Sequence, residues 1–234
     1  MKVLIHESGR RWLVRDEMKD FHTQFGPVPS GQLKPGLIEN TKGQRFSVLE
    51  ASYIDMFRSL QRRAQVILPK DAAMILATTG AGRKDVVVDA GAGSGWLACF
   101  LGHHVRRVYT YDIVESHVKI ASANAERMGL TNVSCTHHDI YSGIPKKCDI
   151  LTLDVPEPWR VLPSAQKKVK RFVVCYNPSI TQSQRTVNEA KDLGLVVWDV
   201  HEVAVRSWDI DGQKVRPKKD EIGPTGFLTY LRVV

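Results

Sequence analysis

Acidic residues are in short supply in this 234-residue chain. Its 25 Asp and Glu face 33 Lys and Arg, which leaves a formal net charge of +8. That balance excludes an acidic, solvating polypeptide and favours an anionic partner, with nucleic acid the first candidate. Cysteine is scarce as well. Cys99, Cys135, Cys148 and Cys175 form no C-x-x-C pair, so a zinc site is not expected, while a disulfide stays open because it depends on the source. Each lies in or beside an apolar stretch, where a free thiol packs as a small hydrophobe. His103-His104 and His137-His138 are adjacent pairs, and neighbours on a helix or strand point apart, so no metal site is expected and these histidines read as surface or loop positions. No apolar run approaches the ~20 residues of a membrane span. The opening Met1-Lys-Val-Leu-Ile-His-Glu7 lacks the apolar core and cleavage site of a signal peptide. The expectation is a protein without a membrane partner, working in the cytoplasm. Internal repeats and low-complexity segments are missing too. What remains is 43% hydrophobic and 25% charged, a globular composition, with length for one large domain or a small one plus a medium one.

Residues 1–60 read as a small β-rich unit closed by a connecting helix. Val3-Leu-Ile and Trp12-Leu-Val flank the turn Ser8-Gly9-Arg10, a hairpin signal. Phe21-His-Thr-Gln-Phe-Gly26 and Arg45-Phe-Ser-Val-Leu49 are further strand candidates, separated by the turn signals Gly26-Pro27, Pro29-Ser-Gly31 and Pro35-Gly36. This pattern suggests a barrel-like domain, with Tyr53 to Leu60 as the helix. From 61 to 234 strands and helices alternate, as a parallel sheet requires. Strands are expected at 86–89, 106–111, 133–136, 148–153, 171–175, 195–204 and 226–233. Helices are expected at 71–79, 95–102, 115–128, 160–168 and 181–193. No helix separates the last two strands, only a loop at 207–224, so they should pair antiparallel.

The densest signal is Val86-Val-Val-Asp-Ala-Gly-Ala-Gly-Ser-Gly95 followed by Trp96-Leu-Ala-Cys-Phe-Leu-Gly102. It reads as a buried strand, a glycine loop and an apolar helix. Glycines at 91, 93 and 95 allow a sharp turn and leave no Cβ between backbone and ligand. The dinucleotide fingerprint needs a third glycine three residues after the second, and Trp96 stands there instead. The D-x-G-x-G-x-G form resembles the first motif of class I S-adenosylmethionine methyltransferases.

Three acids follow strands. Asp112 ends Arg107-Val-Tyr-Thr-Tyr-Asp112, about 20 residues past the glycine loop, where a carboxylate can accept both ribose hydroxyls; the competing reading is a helix-starting Asp. Asp139, in His138-Asp139-Ile140, is either an adenine ligand or a turn residue. Asp154 opens Asp154-Val-Pro-Glu-Pro-Trp159 at the carboxyl end of the fourth strand, where open α/β sheets carry their chemistry. A carboxylate beside a stiff Pro-x-Pro loop and the face of Trp159 suits a flat nitrogen heterocycle; a packed Trp after a strand-terminal Asp is the plainer alternative.

Further motifs make the resemblance specific. Gln65-Val-Ile-Leu-Pro-Lys-Asp71, the glycine loop, Asp154-Val-Pro-Glu-Pro-Trp159, Asn177-Pro-Ser-Ile-Thr-Gln-Ser-Gln184 and Gly223-Pro-Thr-Gly-Phe-Leu228 occur in the order found in tRNA (adenine-N1)-methyltransferases acting on T-loop adenosine 58. Phe21 to Gly26 matches that family's N-terminal domain. The resemblance covers nearly the whole chain and is nearest the single-subunit bacterial and archaeal type. It implies an α/β fold of the class I kind: a Rossmann-like seven-stranded sheet with the last strand antiparallel, preceded by a small β domain. It also implies S-adenosylmethionine as cofactor, held by Gln65, Asp89, Gly91, Gly93, Ser94, Gly95, Asp112, Asp139 and Asp154, with Asp154 as the catalytic carboxylate. Trp159 and the tail-loop cations Lys214, Arg216, Lys218 and Lys219 would meet tRNA. Arg62-Arg63 and Lys167-Lys168-Val-Lys170-Arg171 are alternative phosphate contacts. A homotetramer is implied as well. The chain departs from the family in having Leu68 where Tyr is usual and Pro224 where His is usual, which bears on base recognition and on whether adenosine 57 is also modified. Two other functions remain open from the sequence: a methyltransferase of this fold with a non-RNA substrate, and a non-catalytic tRNA-binding subunit.

Overall fold

The computed structural model describes residues 1–63, 65–219 and 223–234, which divide into two units, Met1–Leu60 and Gln61–Val234. The first unit holds β1 (Lys2–His6), β2 (Arg11–Val14), β3 (Phe21–Thr23), β4 (Gly26–Val28), β5 (Gly36–Glu39), β6 (Arg45–Glu50) and α1 (Tyr53–Arg58). Gly9, with φ 82°, turns β1 into β2. The four long strands form an antiparallel sheet in the order β2-β1-β6-β5, and β3 pairs only with β4. The barrel expectation is therefore corrected to an open sheet plus a ribbon. The sheet buries Leu4, Val14, Phe46 and Val48 with Val28 and Leu33, and β2 and β5 are left as edges. Two strands, β4 and β5, were hidden behind the Gly-Pro and Pro-Gly signals that start them.

The second unit runs α2 (Pro69–Thr79), β7 (Val86–Ala90), α3 (Trp96–His104), β8 (Arg107–Asp112), α4 (Glu115–Arg127), β9 (Val133–His137), β10 (Cys148–Leu153), α5 (Leu162–Lys168), β11 (Val169–Asn177), α6 (Ile180–Asp192), β12 (Val196–Glu202), β13 (Trp208–Asp211), β14 (Lys214–Pro217) and β15 (Phe227–Arg232). Pro69 sits in the first turn of α2, where its missing N–H costs nothing, and Gly80 ends the helix in the left-handed region. Ser179 and Gln182 cap α6 reciprocally. Val87, Val88 and Ala90 of β7 are buried, as a central strand requires.

Seven strands order as β12-β15-β11-β10-β7-β8-β9. β15 runs antiparallel to both β11 and β12, and the pairs β11–β10–β7–β8–β9 are parallel. The class I expectation holds. Val88 and Ala90 face a core shared with Leu162, Ala165 and Ala190 of α5 and α6. Cys99, Cys148 and Cys175 are buried, and burial pushes the Cys99 and Cys148 thiols up to about 12.

The loop expected at 207–224 contains a hairpin instead. Trp208, Ile210 and Val215 alternate with Asp209 and Arg216, and Gly212 adopts φ 55° at the turn. That alternation around Asp-Gly is a hairpin signature, overlooked in favour of the charge run. Trp208, Ile210, Val215 and Pro217 share one face of the ribbon by register. No helix among the described residues is long and apolar enough to cross a membrane.

Candidate active site

The strand order brings the ends of β7, β8 and β10 side by side, and the glycine loop hangs from the first of them. The Asp154 N–H donates to Ala90 O at 2.8 Å, and Gly91 and Ala92 donate to Tyr111 O at 2.9 and 3.0 Å. Gly91 has φ 93°, and a Cβ there would stand 2.0 Å from Asp154 O. Only a glycine lets β10 end so close to the loop. Gly93 N donates to Asp112 Oδ2 at 2.8 Å. Gly95 caps α3 at φ 73°, and a Cβ there would meet Ala121 of α4 at 2.8 Å. This third glycine serves helix packing and does not line the cavity.

These ends surround a cavity of about 370 Å³, in the range of small-ligand sites. Gln65, Gly91, Gly93, Ser94, Asp112, Asp139 and Asp154 all line it. Ser94 Oγ accepts the Arg63 N–H at 2.9 Å. Asp112 is buried; its Oδ1 accepts from Val114 N at 2.8 Å, and His117 Nδ1 lies 3.3 Å from Oδ2. The helix-starting reading of Asp112 holds, because it orders the entry into α4, and the same carboxylate lines the cavity. Asp139 caps the short turn Ile140–Ser142, accepting from Tyr141 N at 2.9 Å, yet stays exposed at the rim. Asp154 is the carboxylate with the fewest partners: no side chain among the described residues is recorded donating to it. Burial, then the charges of Asp89 and Asp112, push its pKa up to about 7. The ammonium of Lys70, which does not line the cavity, is committed to Asp71 at 3.0 Å, Val203 O at 2.7 Å and Thr225 Oγ1 at 3.1 Å. A pocket with clustered carboxylates and no Lys or Arg among the described lining residues suits a positively charged ligand.

Two further sequence expectations are corrected besides that for Gly95. Asp89 does not reach the cavity. It is buried between β8 and β10, accepting from Thr110 Oγ1 at 2.6 Å and Thr152 Oγ1 at 2.7 Å, with burial raising its pKa to about 6. It ties three central strands together. Trp159 offers no wall to the cavity either. It is 8% exposed within the main core, and the Arg185 guanidinium of α6 lies 4.2 Å over its ring. The turn Pro158–Arg160 folds the indole inward, so for Trp159 the plainer reading, a packed side chain, is the one that holds.

Residues that sequence reasoning passed over complete the lining. Ile113 and Val114, 63% and 41% exposed, give an apolar flank directly after Asp112. An exposed apolar pair behind a strand-terminal acid was the available signal. His117, His138 and Tyr141 also line the cavity, so His138 is not merely a surface histidine. Leu68 and Pro224 do not. The Pro-Lys-Asp and Gly-Pro-Thr-Gly motifs meet outside it, through the Asp71–Thr225 hydrogen bond of 2.9 Å.

The cationic clusters lie away from the cavity lining. Lys214 and Arg216 are exposed on β14, with Lys218 and Lys219 beyond it; Lys218 approaches Asp209 at 4.0 Å. Lys170 and Arg171 pair with Asp149 and Asp85 at 3.2 and 2.9 Å, which leaves Lys167 and Lys168 as the uncommitted part of that cluster. Among the described residues no three His, Cys, Asp or Glu side chains gather as a metal site would need.

Comparison with known proteins adds the following. Residues 56–224 match the family model described as "tRNA methyltransferase complex GCD14 subunit". A tRNA (adenine(57)-N(1)/adenine(58)-N(1))-methyltransferase TrmI from Methanocaldococcus jannaschii is 32% identical, over 99% of this chain and 94% of its own. A Thermotoga maritima structure described as a SAM-dependent O-methyltransferase superposes with TM-score 0.89 at 26% identity, covering 100% of this chain and 92% of that one. The tRNA (m1A58) methyltransferase TrmI of Aquifex aeolicus superposes with TM-score 0.84 at 20% identity, covering 100% and 96%. At that identity it speaks to the fold alone.

Proposed function

The chain belongs to the tRNA methyltransferase family of the GCD14 subunit, and on that footing we propose that it moves a methyl group from S-adenosylmethionine to N1 of adenosine 58 in the T loop of tRNA. The observation that carries the reading is the cavity itself: a glycine loop without room for a Cβ at Gly91, with Asp112, Asp139 and Asp154 around it and no Lys or Arg among the described lining residues. The residues fit the cofactor. Gly91 and Gly93 permit close approach of the amino-acid end, Asp112 keeps lone pairs for the ribose hydroxyls, and Asp139 can accept from the adenine amino group, with Ile113 and Val114 against the ring.

S-adenosylmethionine, when bound, supplies a methyl group already activated on a sulfonium, so this chemistry asks for no metal. The chain's residues must then orient a target base and stabilise charge. Neutral adenine carries a lone pair on N1, which would displace the sulfonium's thioether leaving group as it takes up the methyl group. The Asp154 carboxylate accepts a hydrogen bond from the exocyclic N6 amino group. This raises electron density at N1 and meets the positive charge left on the ring. The N6 proton can afterwards pass to the same carboxylate. Because N1 lies on the Watson–Crick edge, the base must leave its stack to be reached.

RNA shape and phosphates would supply most of the affinity, with Lys214, Arg216, Lys218 and Lys219 as the first contacts to test. The apolar face of the β13–β14 ribbon, where Ile210 is 75% exposed, supports a homotetramer in which that face is covered. A tRNA substrate also makes the cytoplasm the place of work.

The test is methyl transfer from labelled cofactor to an unmodified tRNA transcript, with the modified position mapped. Label at N1 of adenosine 58 is expected; the same map shows whether adenosine 57 is used, as the name of the Methanocaldococcus relative has it. Label on another atom or no label would reject the substrate, and transfer to an oxygen nucleophile would favour the Thermotoga kind of chemistry. Affinity for tRNA is expected to fall at least ~10-fold between about 50 and 200 mM salt. Replacing Lys214 and Arg216 together by Ala should flatten that slope, and an unchanged slope would remove the ribbon from the RNA surface.

A further inference from the structure

We infer that Asn124 is a positioning residue for cofactor binding: its buried amide pins residues 61–63 to the glycine loop and so sets the wall built by Gln65, Val66 and Ile67. The inference rests on reading the cavity as the S-adenosylmethionine site.

Asn124 lies inside α4 with 0% exposure. Asparagine is a poor helix former, and a buried amide is costly unless its hydrogen bonds are made. Here none of the recorded bonds is local. Oδ1 accepts from Gln61 N at 3.1 Å, while Nδ2 donates to Gln61 O at 3.0 Å and to Ser94 O at 2.8 Å. The amide orientation is fixed by its partners, since the flipped form would set its oxygen against two carbonyls. One side chain thus holds both backbone groups of Gln61 and the glycine loop at once. Further ties run between the same segments. Trp96 Nε1 donates to Gln61 O at 3.2 Å, Arg63 N donates to Ser94 Oγ at 2.9 Å, and the Arg62 guanidinium lies 3.9 Å over the Trp96 ring.

Beyond this pinned stretch, Gln65, Val66 and Ile67 line the cavity, and α2 begins at Pro69. Asn124 itself does not line it. It acts through the wall, so its loss should weaken capture of the cofactor and spare the methyl-transfer step. A group that merely stabilised the fold would not separate the two.

The experiment compares wild type, Asn124→Ala and Arg62→Ala for S-adenosylmethionine binding by calorimetry without tRNA, for steady-state kinetics, and for amide hydrogen exchange. Asn124→Ala is expected to raise Kd and the cofactor KM ~10-fold or more, keep kcat at saturating cofactor within about twofold, and speed exchange at the Gln61 and Arg63 amides. Arg62→Ala removes the stacking contact of an exposed side chain, leaves the hydrogen bonds of Gln61 and Arg63 in place, and should raise Kd about 2–5-fold. Unchanged affinity in a folded Asn124→Ala overturns the inference, as does a fallen kcat with unchanged KM. If that variant does not fold, an unchanged Kd in Arg62→Ala overturns it. A wild type that binds no S-adenosylmethionine rejects the reading of the cavity instead.

Discussion

Asp154→Asn is expected to lower the rate of methyl transfer about 10²–10³-fold at pH 8, with cofactor affinity within about twofold of wild type. The two side chains have the same shape, and the backbone bond from residue 154 to Ala90 O is untouched. Only the charge is lost, and the charge is what the proposed mechanism sets against the developing cationic ring. Near-normal turnover by the variant would sink the assigned role. The pH dependence gives a second reading of the same carboxylate. Burial and the neighbouring Asp89 and Asp112 raise Asp154 to about 7, so kcat/KM for the cofactor, which reports the free enzyme, should rise through about pH 7 as the acid ionises. Asp154→Asn should lack that limb. The sign for stability is opposite. A carboxyl raised in the folded state holds a proton that the unfolded chain has released, so its contribution is present at low pH and is lost as pH rises through the folded value. At pH 8 Asp154→Asn should therefore resist denaturant better than wild type while working worse.

Gly91→Ala should be the most damaging single methyl group in the chain. The added carbon would sit 2.0 Å from the carbonyl oxygen of Asp154 at a φ of 93°. Both the strained backbone and the collision contribute, for a loss of about 2–5 kcal/mol, and cofactor binding should disappear because the loop must move away from β10. Gly129→Ala is the control. It also has a positive φ, 67°, but nothing lies within 4 Å of its Cβ, so it should cost about 1 kcal/mol and leave binding intact. Urea unfolding and calorimetry read both. Equal losses at the two positions would mean that conformation alone, without the close approach to Asp154, makes Gly91 necessary.

Much of the site could be read from local spacing because local spacing determines it. A strand, a glycine loop and an acid on the next strand lie within 30 residues, and the sheet order then brings Asp139 and Asp154 to the same edge. Asp89 and Trp159 were misplaced for the converse reason. The partners of Asp89 are hydroxyls 21 and 63 residues away, and Trp159 is claimed by Arg185 on α6. Nothing adjacent in the chain announces either. The N-terminal barrel failed on closure, which depends on which edges meet and not on strand content. Asn124 looks like a helix-surface amide until the chain around Gln61 is laid against it.

The Lys70–Asp71 pair at the start of α2 has a kinetic consequence. Its ammonium reaches across 133 residues to Val203 O and 155 to Thr225, so anchoring this helix means closing some of the largest loops in the molecule. Loop-closure entropy must be met before such contacts repay it, and topologies rich in them fold slowly. The central parallel strands can therefore pair before the segment leading into α2 is fastened. During refolding, helical and sheet signals should return first, and the capacity to bind S-adenosylmethionine should follow as a separate, slower phase.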